Sequence, residues 1–121
     1  MKTCLVVDDS SVVRKIARRI LEDMDFQITE AEDGEQALAA VAKERPDLIL
    51  MEIQLPTIDG YEAMPQIRTD PALLSIPIIA VSSYAPSGEE QKARAAGCDD
   101  FVAKPYSPRQ LLAKIRQYMP Q

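Results

Sequence analysis

Five short apolar runs, at Thr3–Val7, Phe26–Ala31, Asp47–Met51, Pro77–Val81 and Asp100–Ala103, alternate along the chain with five stretches of helical periodicity. Four of these runs are nearly continuous in apolar character, as expected of strands covered on both faces of a parallel sheet. The second carries Thr29 and Glu30 and suits an edge. The intervening stretches open with helix start signals. Asp33 with Gln36, Asp59 with Glu62, Ser87 with Glu90 and Ser107 with Gln110 each set a capping side chain three residues ahead of a Glu or Gln that can reach back. Pro108 falls at a first helical position, where its missing N–H costs nothing. In the first helix Val13, Ile16, Ala17, Ile20 and Leu21 line an apolar face, and Arg14, Lys15, Arg18 and Arg19 lie largely on the other. Pro65 falls inside the third helix, where the loss of a hydrogen bond predicts a kink.

Strict alternation of this kind predicts an α/β fold, a doubly wound five-stranded parallel sheet with five helices and right-handed crossovers. No linker, low-complexity stretch or solenoid-period repeat interrupts it, so one domain is expected over residues 1–121, with no separate output domain. The length of 121 residues suits that reading. A net charge of -5 and a pI near 4.7 argue against direct nucleic-acid binding. The apolar runs are too short to span a bilayer and the first residues lack signal-peptide features, so no membrane insertion and a cytoplasmic location are expected. The absence of histidine excludes histidine catalysis and histidine metal ligation. Cys4 and Cys98 are too few for a disulfide scaffold and are expected to be reduced structural thiols.

Candidate chemistry sits at the ends of the apolar runs. Asp8 and Asp9 follow the first, Glu52 follows the third, Ser82 the fourth and Lys104 the fifth. Open α/β sheets bind ligands at the carboxyl ends of their strands, where strand order reverses. In the order 2-1-3-4-5 that point lies between the first and third strands, which would gather the three carboxylates. Such a cluster attracts a hard cation such as Mg²⁺, because the metal relieves the mutual repulsion. Lys104 would add a positive charge and Ser82 a hydroxyl. Taken singly, Asp8 and Asp9 could equally be helix N-caps, and Glu52 an exposed turn carboxylate.

The stretches Val6-Val7-Asp8-Asp9-Ser10, Pro46-Asp47-Leu48-Ile49-Leu50-Met51, Leu55-Pro56-Thr57-Ile58-Asp59-Gly60-Tyr61-Glu62 and Ala103-Lys104-Pro105 resemble the response-regulator receiver family of two-component signalling, and the likeness runs over nearly the whole chain. The resemblance implies a flavodoxin-like fold. It implies Mg²⁺ held by Asp8, Asp9, the residue-52 carboxylate and the Gln54 backbone carbonyl, and a phosphoryl group received from a histidine kinase or phosphotransfer protein. It makes Lys104 the phosphoryl-contacting lysine, Ser82 and Phe101 the switch pair, and the Lys104-Pro105 peptide cis. Gln54 and Tyr84 fall where relatives tune phosphoryl lifetime. Ser11, Val12, Pro105 and Tyr106 fall on the surface that faces the phosphodonor, and the fourth helix, fifth strand and fifth helix on the one that meets a downstream protein target. The plainer alternative is that Val12 and Tyr106 only cover the edge of the core.

The sequence departs from that pattern at the phosphoacceptor position, which holds Glu52 instead of aspartate. One added methylene moves the carboxylate by about 1.5 Å, and a misplacement of about 1 Å can cost on the order of a hundredfold in a positioned reaction. Glu52 is therefore expected to be a poor phosphoacceptor that pairs with Lys104 while Ser82 stays unengaged, an inactive-like or intermediate arrangement. The chain would then be a stand-alone receiver carrying a phospho-mimic or a non-phosphorylatable residue, its Mg²⁺ affinity weakened by Glu52. The alternative is an atypical, phosphorylation-independent receiver used as a constitutive interaction module. An enzyme is not expected: an aspartate-nucleophile phosphatase needs Asp-x-Asp after the first strand, and here Asp8-Asp9-Ser10 stands there.

Overall fold

The computed structural model describes residues 2–83 and 85–119. In chain order it contains β1 (Thr3–Val7), α1 (Ser11–Glu22), β2 (Gln27–Ala31), α2 (Gly34–Lys43), β3 (Leu48–Glu52), α3 (Gly60–Arg68), a short 3-10 turn (Pro71–Leu73), β4 (Ile78–Ser82), α4 (Glu89–Ala96), β5 (Asp100–Ala103) and α5 (Pro108–Tyr118). Among the described residues the strands form one parallel sheet in the order β2-β1-β3-β4-β5. The polar second strand is indeed an edge. Two of the predicted strands sit one residue later than the apolar runs, so Glu52 and Ser82 close β3 and β4 from within.

Apolar alternation along each strand feeds two cores, one per face. Leu5, Val7, Ile49, Met51, Ile78 and Ala80 point toward α2, α3 and α4. Cys4, Val6, Leu48, Leu50, Ile79 and Val102 point toward α1 and α5. Every residue of β3 and β4 is buried, and each such aliphatic side chain contributes about 1.5–3 kcal/mol relative to exposure. This double coverage makes the runs continuous instead of alternating with polar residues.

Local signals set the helix starts. Ser10 accepts the Val13 N–H and caps α1, which leaves Asp8 and Asp9 outside that role. Asp33 and Asp59 cap α2 and α3, and Ser107 with Gln110 completes a reciprocal capping box on α5. The expected cap at Ser87 does not form. Gly88, at φ 90, occupies the N-cap of α4 and offers no side chain, a conformation that glycine adopts without steric cost. The third helix continues through Pro65 to Arg68.

The orientation of α1 differs from the helical-wheel expectation at two positions. Ile16 is 51% exposed, whereas Arg14 is buried. The helix is turned so that Arg14 passes beneath it to the Asp8 carbonyl (2.7 Å) and to Glu30 Oε1 on β2 (2.9 Å). An acid on the neighbouring strand thus compensates the desolvation that would otherwise keep an arginine in water.

Gly34 shows how closely the active rim is packed. A Cβ there would stand 2.1 Å from the Ile58 carbonyl oxygen, so the β3–α3 loop lies directly on the start of α2. No helix among the described residues is long and apolar enough to cross a membrane.

Candidate functional site

The sheet register brings the predicted residues to one rim. Val7 lies across from Met51, so the next residues, Asp8 and Glu52, end neighbouring strands side by side. Ser82 lies across from Ala103, so Lys104 follows directly beyond it. The Lys104-Pro105 peptide is cis, as the resemblance implied.

At this rim Lys104 Nζ donates to Asp8 Oδ2 at 2.7 Å and to Glu52 Oε1 at 2.6 Å. The second oxygen of Glu52 accepts the backbone N–H groups of Ile53 (2.7 Å) and Gln54 (3.1 Å). The second oxygen of Asp8 accepts the Ser10 N–H at 2.9 Å. Asp8 and Glu52 are buried, while Asp9 is exposed. Burial works against the Lys104 charge, but the hydrogen bonds and charges of Asp8 and Glu52 outweigh it and hold its pKa above the ordinary lysine value.

The predicted partnership of Glu52 with Lys104 is therefore present. Ser82 is not idle as expected, however. Its hydroxyl donates to the Gln54 side-chain carbonyl at 3.0 Å. Phe101 lies inward, buried in the core beneath α2, α3 and α4. Tyr84 lies outside the described residues. The rim thus combines an inward aromatic with a serine held by Gln54.

The donor types suit Mg²⁺, a hard cation that takes oxygen ligands. Their arrangement does not. All four oxygens of Asp8 and Glu52 already accept N–H groups, and the ammonium of Lys104 stands between the two carboxylates as their counter-ion. Among the described residues no three Asp, Glu, Cys or His side chains are gathered so as to hold a metal ion. Mg²⁺ would have to displace the Lys104 ammonium from both carboxylates to be held here.

On the outer side of Lys104 an open groove of about 410 Å³ is lined by Val13, Ile16, Ser83, Lys104, Pro105 and Tyr106. Val12 beside it is 63% exposed, and Ser11 and Pro105 are exposed. Val12 therefore does not cover the core. Tyr106 does, packing half-buried against the α1–α5 cluster.

Sequence reasoning missed one residue of this site and one contact. Arg14 holds the Asp8 carbonyl from below, and the acid at Glu30 on an otherwise polar edge strand was the available signal. Gln54 was expected to supply a backbone carbonyl and to tune phosphoryl lifetime, but the contact of its side chain with Ser82 was not foreseen. The sequence carried no signal for that contact.

A doubly wound sheet with paired acids, a serine and a lysine converging where strand order reverses defines an acid-pocket α/β module of the signalling type. Residues 4–116 match the response regulator receiver domain family, and the chain belongs to it. It is a receiver domain of two-component signalling. It is 34% identical to the polar-differentiation response regulator DivK of Brucella anthropi over 118 residues, 98% of this chain and 96% of that one. Among solved structures it resembles the receiver domain of a sensor histidine kinase from Pseudomonas aeruginosa, solved with a magnesium ion coordinated in the active-site cleft (TM-score 0.90, 30% identity, 99% and 98% of the two chains). It also resembles the chemotaxis protein CheY4 of Vibrio cholerae (TM-score 0.91, 28% identity, 98% of each chain).

Proposed function

We propose that the chain acts as a stand-alone cytoplasmic receiver that signals by changing its affinity for a protein partner, and that Glu52 occupies the phosphoacceptor position. The observation that carries this reading is the position of the Glu52 carboxylate, closed by Lys104 on one oxygen and by two backbone amides on the other. A carboxylate so engaged is a poor nucleophile toward a phosphodonor. It also reproduces only part of a phosphoryl group, which carries more charge and three acceptor oxygens. The Brucella relatives, which this chain covers over 96% of their length, support the stand-alone reading.

In this reading Mg²⁺ would be held by Asp8, Asp9, Glu52 and the Gln54 backbone carbonyl, and weakly, because Lys104 competes for the carboxylates of Asp8 and Glu52. Ser82 and Phe101 are the switch pair. Ser11, Val12, Pro105 and Tyr106, extended by Ile16, receive a histidine kinase or phosphotransfer protein, and the exposed aliphatics beside the groove support this assignment. The downstream partner meets α4, β5 and α5. The domain shifts an equilibrium instead of turning over a substrate. The buried position of Phe101 favours a second reading, a phosphorylation-independent receiver held ready for its partner.

The test is incubation with acetyl phosphate and Mg²⁺ followed by intact-mass measurement. The native chain should stay largely unmodified, and Glu52→Asp should gain one phosphoryl group at position 52. Stoichiometric labelling of Glu52 itself would overturn the assignment.

A further inference from the structure

Gln54 touches three elements at once. Its backbone N–H donates to Glu52 Oε2 at 3.1 Å. Its side-chain carbonyl accepts from the Ser82 hydroxyl at 3.0 Å. Its side-chain NH₂ donates to Glu89 Oε1, in the first turn of α4, at 3.4 Å.

The helix at the end of this chain of bonds is the least anchored of the five. The starts of α1, α2, α3 and α5 are each closed by a side-chain cap, and α4 has none. It spans eight residues and buries Ala93 alone among them. Two helical turns do not sustain themselves in water, because the cost of nucleation is spread over too few bonds. Its position must therefore be set by ties from outside, and in its first turn Glu89 is tied to Gln54.

Glu89 also has a second donor at hand. The Tyr61 hydroxyl on α3 is enclosed and has no hydrogen-bond partner among the described residues, while Lys92 of α4 stands 4.2 Å from the centroid of the Tyr61 ring. Burial and the nearby Glu89 charge keep the Tyr61 phenol protonated, so it can donate. An enclosed donor without a partner is costly, and it would gain one if Glu89 left Gln54.

We propose that Gln54 is a positioning residue that couples the carboxylate at position 52 to the start of α4, with Glu89 exchanging between the Gln54 amide and the Tyr61 hydroxyl. The coupling follows from the geometry around Gln54 and goes beyond the reading above, since it does not require that position 52 be phosphorylated. Retracting the carboxylate removes the acceptor that fixes the Gln54 backbone. The amide then loosens, and Glu89 passes to Tyr61 with the first turn of α4 following it.

Amide hydrogen exchange of α4, followed by NMR and normalised to core amides of β4, tests this in a mutant cycle. Glu52→Asp should change exchange in the first turn of α4 by roughly threefold, the scale of one exposed hydrogen bond. In a Gln54→Ala background the same substitution should leave α4 unchanged. Gln54→Glu alone should abolish the coupling by repelling Glu89. Gln54→Glu combined with Glu89→Gln should restore it, because carboxylate and amide have traded places. Gln54 is exposed and Glu89 lies at the surface of a short helix, so these variants keep the core intact. An undiminished response in the Gln54→Ala background, or no response of α4 to Glu52→Asp in the parent chain, would overturn the proposal.

Discussion

Replacing Lys104 with methionine tests whether that side chain is the counter-ion that makes the acidic rim tolerable. Its ammonium lies 2.7 Å from Asp8 and 2.6 Å from Glu52, whose side chains are only 5% and 3% exposed. Removing it leaves two adjacent carboxylates in a poorly solvated setting, each keeping only its backbone N–H partners. Stranding a buried charge typically costs 3–5 kcal/mol. Lys104 itself is 17% exposed, so water can enter its place, and the low end, about 3 kcal/mol, applies. For a domain of this size that corresponds to a fall in Tm on the order of 10 °C. The carboxylates freed in Lys104→Met are also open to Mg²⁺. Metal at about a hundredfold excess over its Kd would return about 2.7 kcal/mol, nearly all of the loss. The measurement is thermal unfolding by circular dichroism, native chain against variant, in EDTA and in Mg²⁺. The variant should melt far below the native chain in EDTA and recover in Mg²⁺, while the native chain gains little. Equal Mg²⁺ stabilisation of both proteins, or an unchanged Tm for Lys104→Met in EDTA, would refute the counter-ion role.

Three further outcomes are expected. Burial opposes the Asp100 charge, but hydrogen bonds from Lys114, the Phe101 N–H and Tyr118 together hold its pKa below the ordinary value of 3.8. Its contribution to stability is therefore present above that value and lost as pH falls through the depressed one; Asp100→Asn should lower stability at pH 7 and flatten urea midpoints measured between pH 5 and 2. Burial raises the Cys4 thiol strongly and pushes Cys98 up to about 11, so neither should react with a thiol reagent at pH 8 in the folded protein, and both should react at once in guanidinium; rapid native labelling of Cys98 would show that the thiol is reached without unfolding. Gly34→Ala drives a methyl into the Ile58 carbonyl and should cost about 1–3 kcal/mol, read as a lower urea midpoint, with an unchanged midpoint showing that the β3–α3 loop yields.

The strands, their edge assignment and the convergence of Asp8, Glu52, Ser82 and Lys104 were legible because each follows from a period or a strand end. A strand covered on both faces is apolar throughout, and its last residue falls at the rim whatever the loops do. What escaped depended on rotation and reach. A helical wheel cannot tell which flank of an apolar face turns inward, so Arg14 and Ile16 exchanged roles once Glu30 was near enough to neutralise the guanidinium. Ser87 has the right composition for a cap, but the chain turns one residue later, where Gly88 takes a left-handed conformation. The Gln54 side chain bridges elements that are distant in sequence, 28 residues to Ser82 and 35 to Glu89, and nothing local encodes such a contact.

The bond between Lys104 and Asp8 joins positions 96 residues apart. Between them the chain must lay down every strand from β2 to β5. Synthesis runs from the amino end, so a growing chain that has exposed its paired acids still lacks the lysine that neutralises them. Until β5 is in place, the Asp8 and Glu52 carboxylates lack the counter-ion that the completed sheet gives them. The last strand of the sheet to be made thus completes the charge balance at the end of the first.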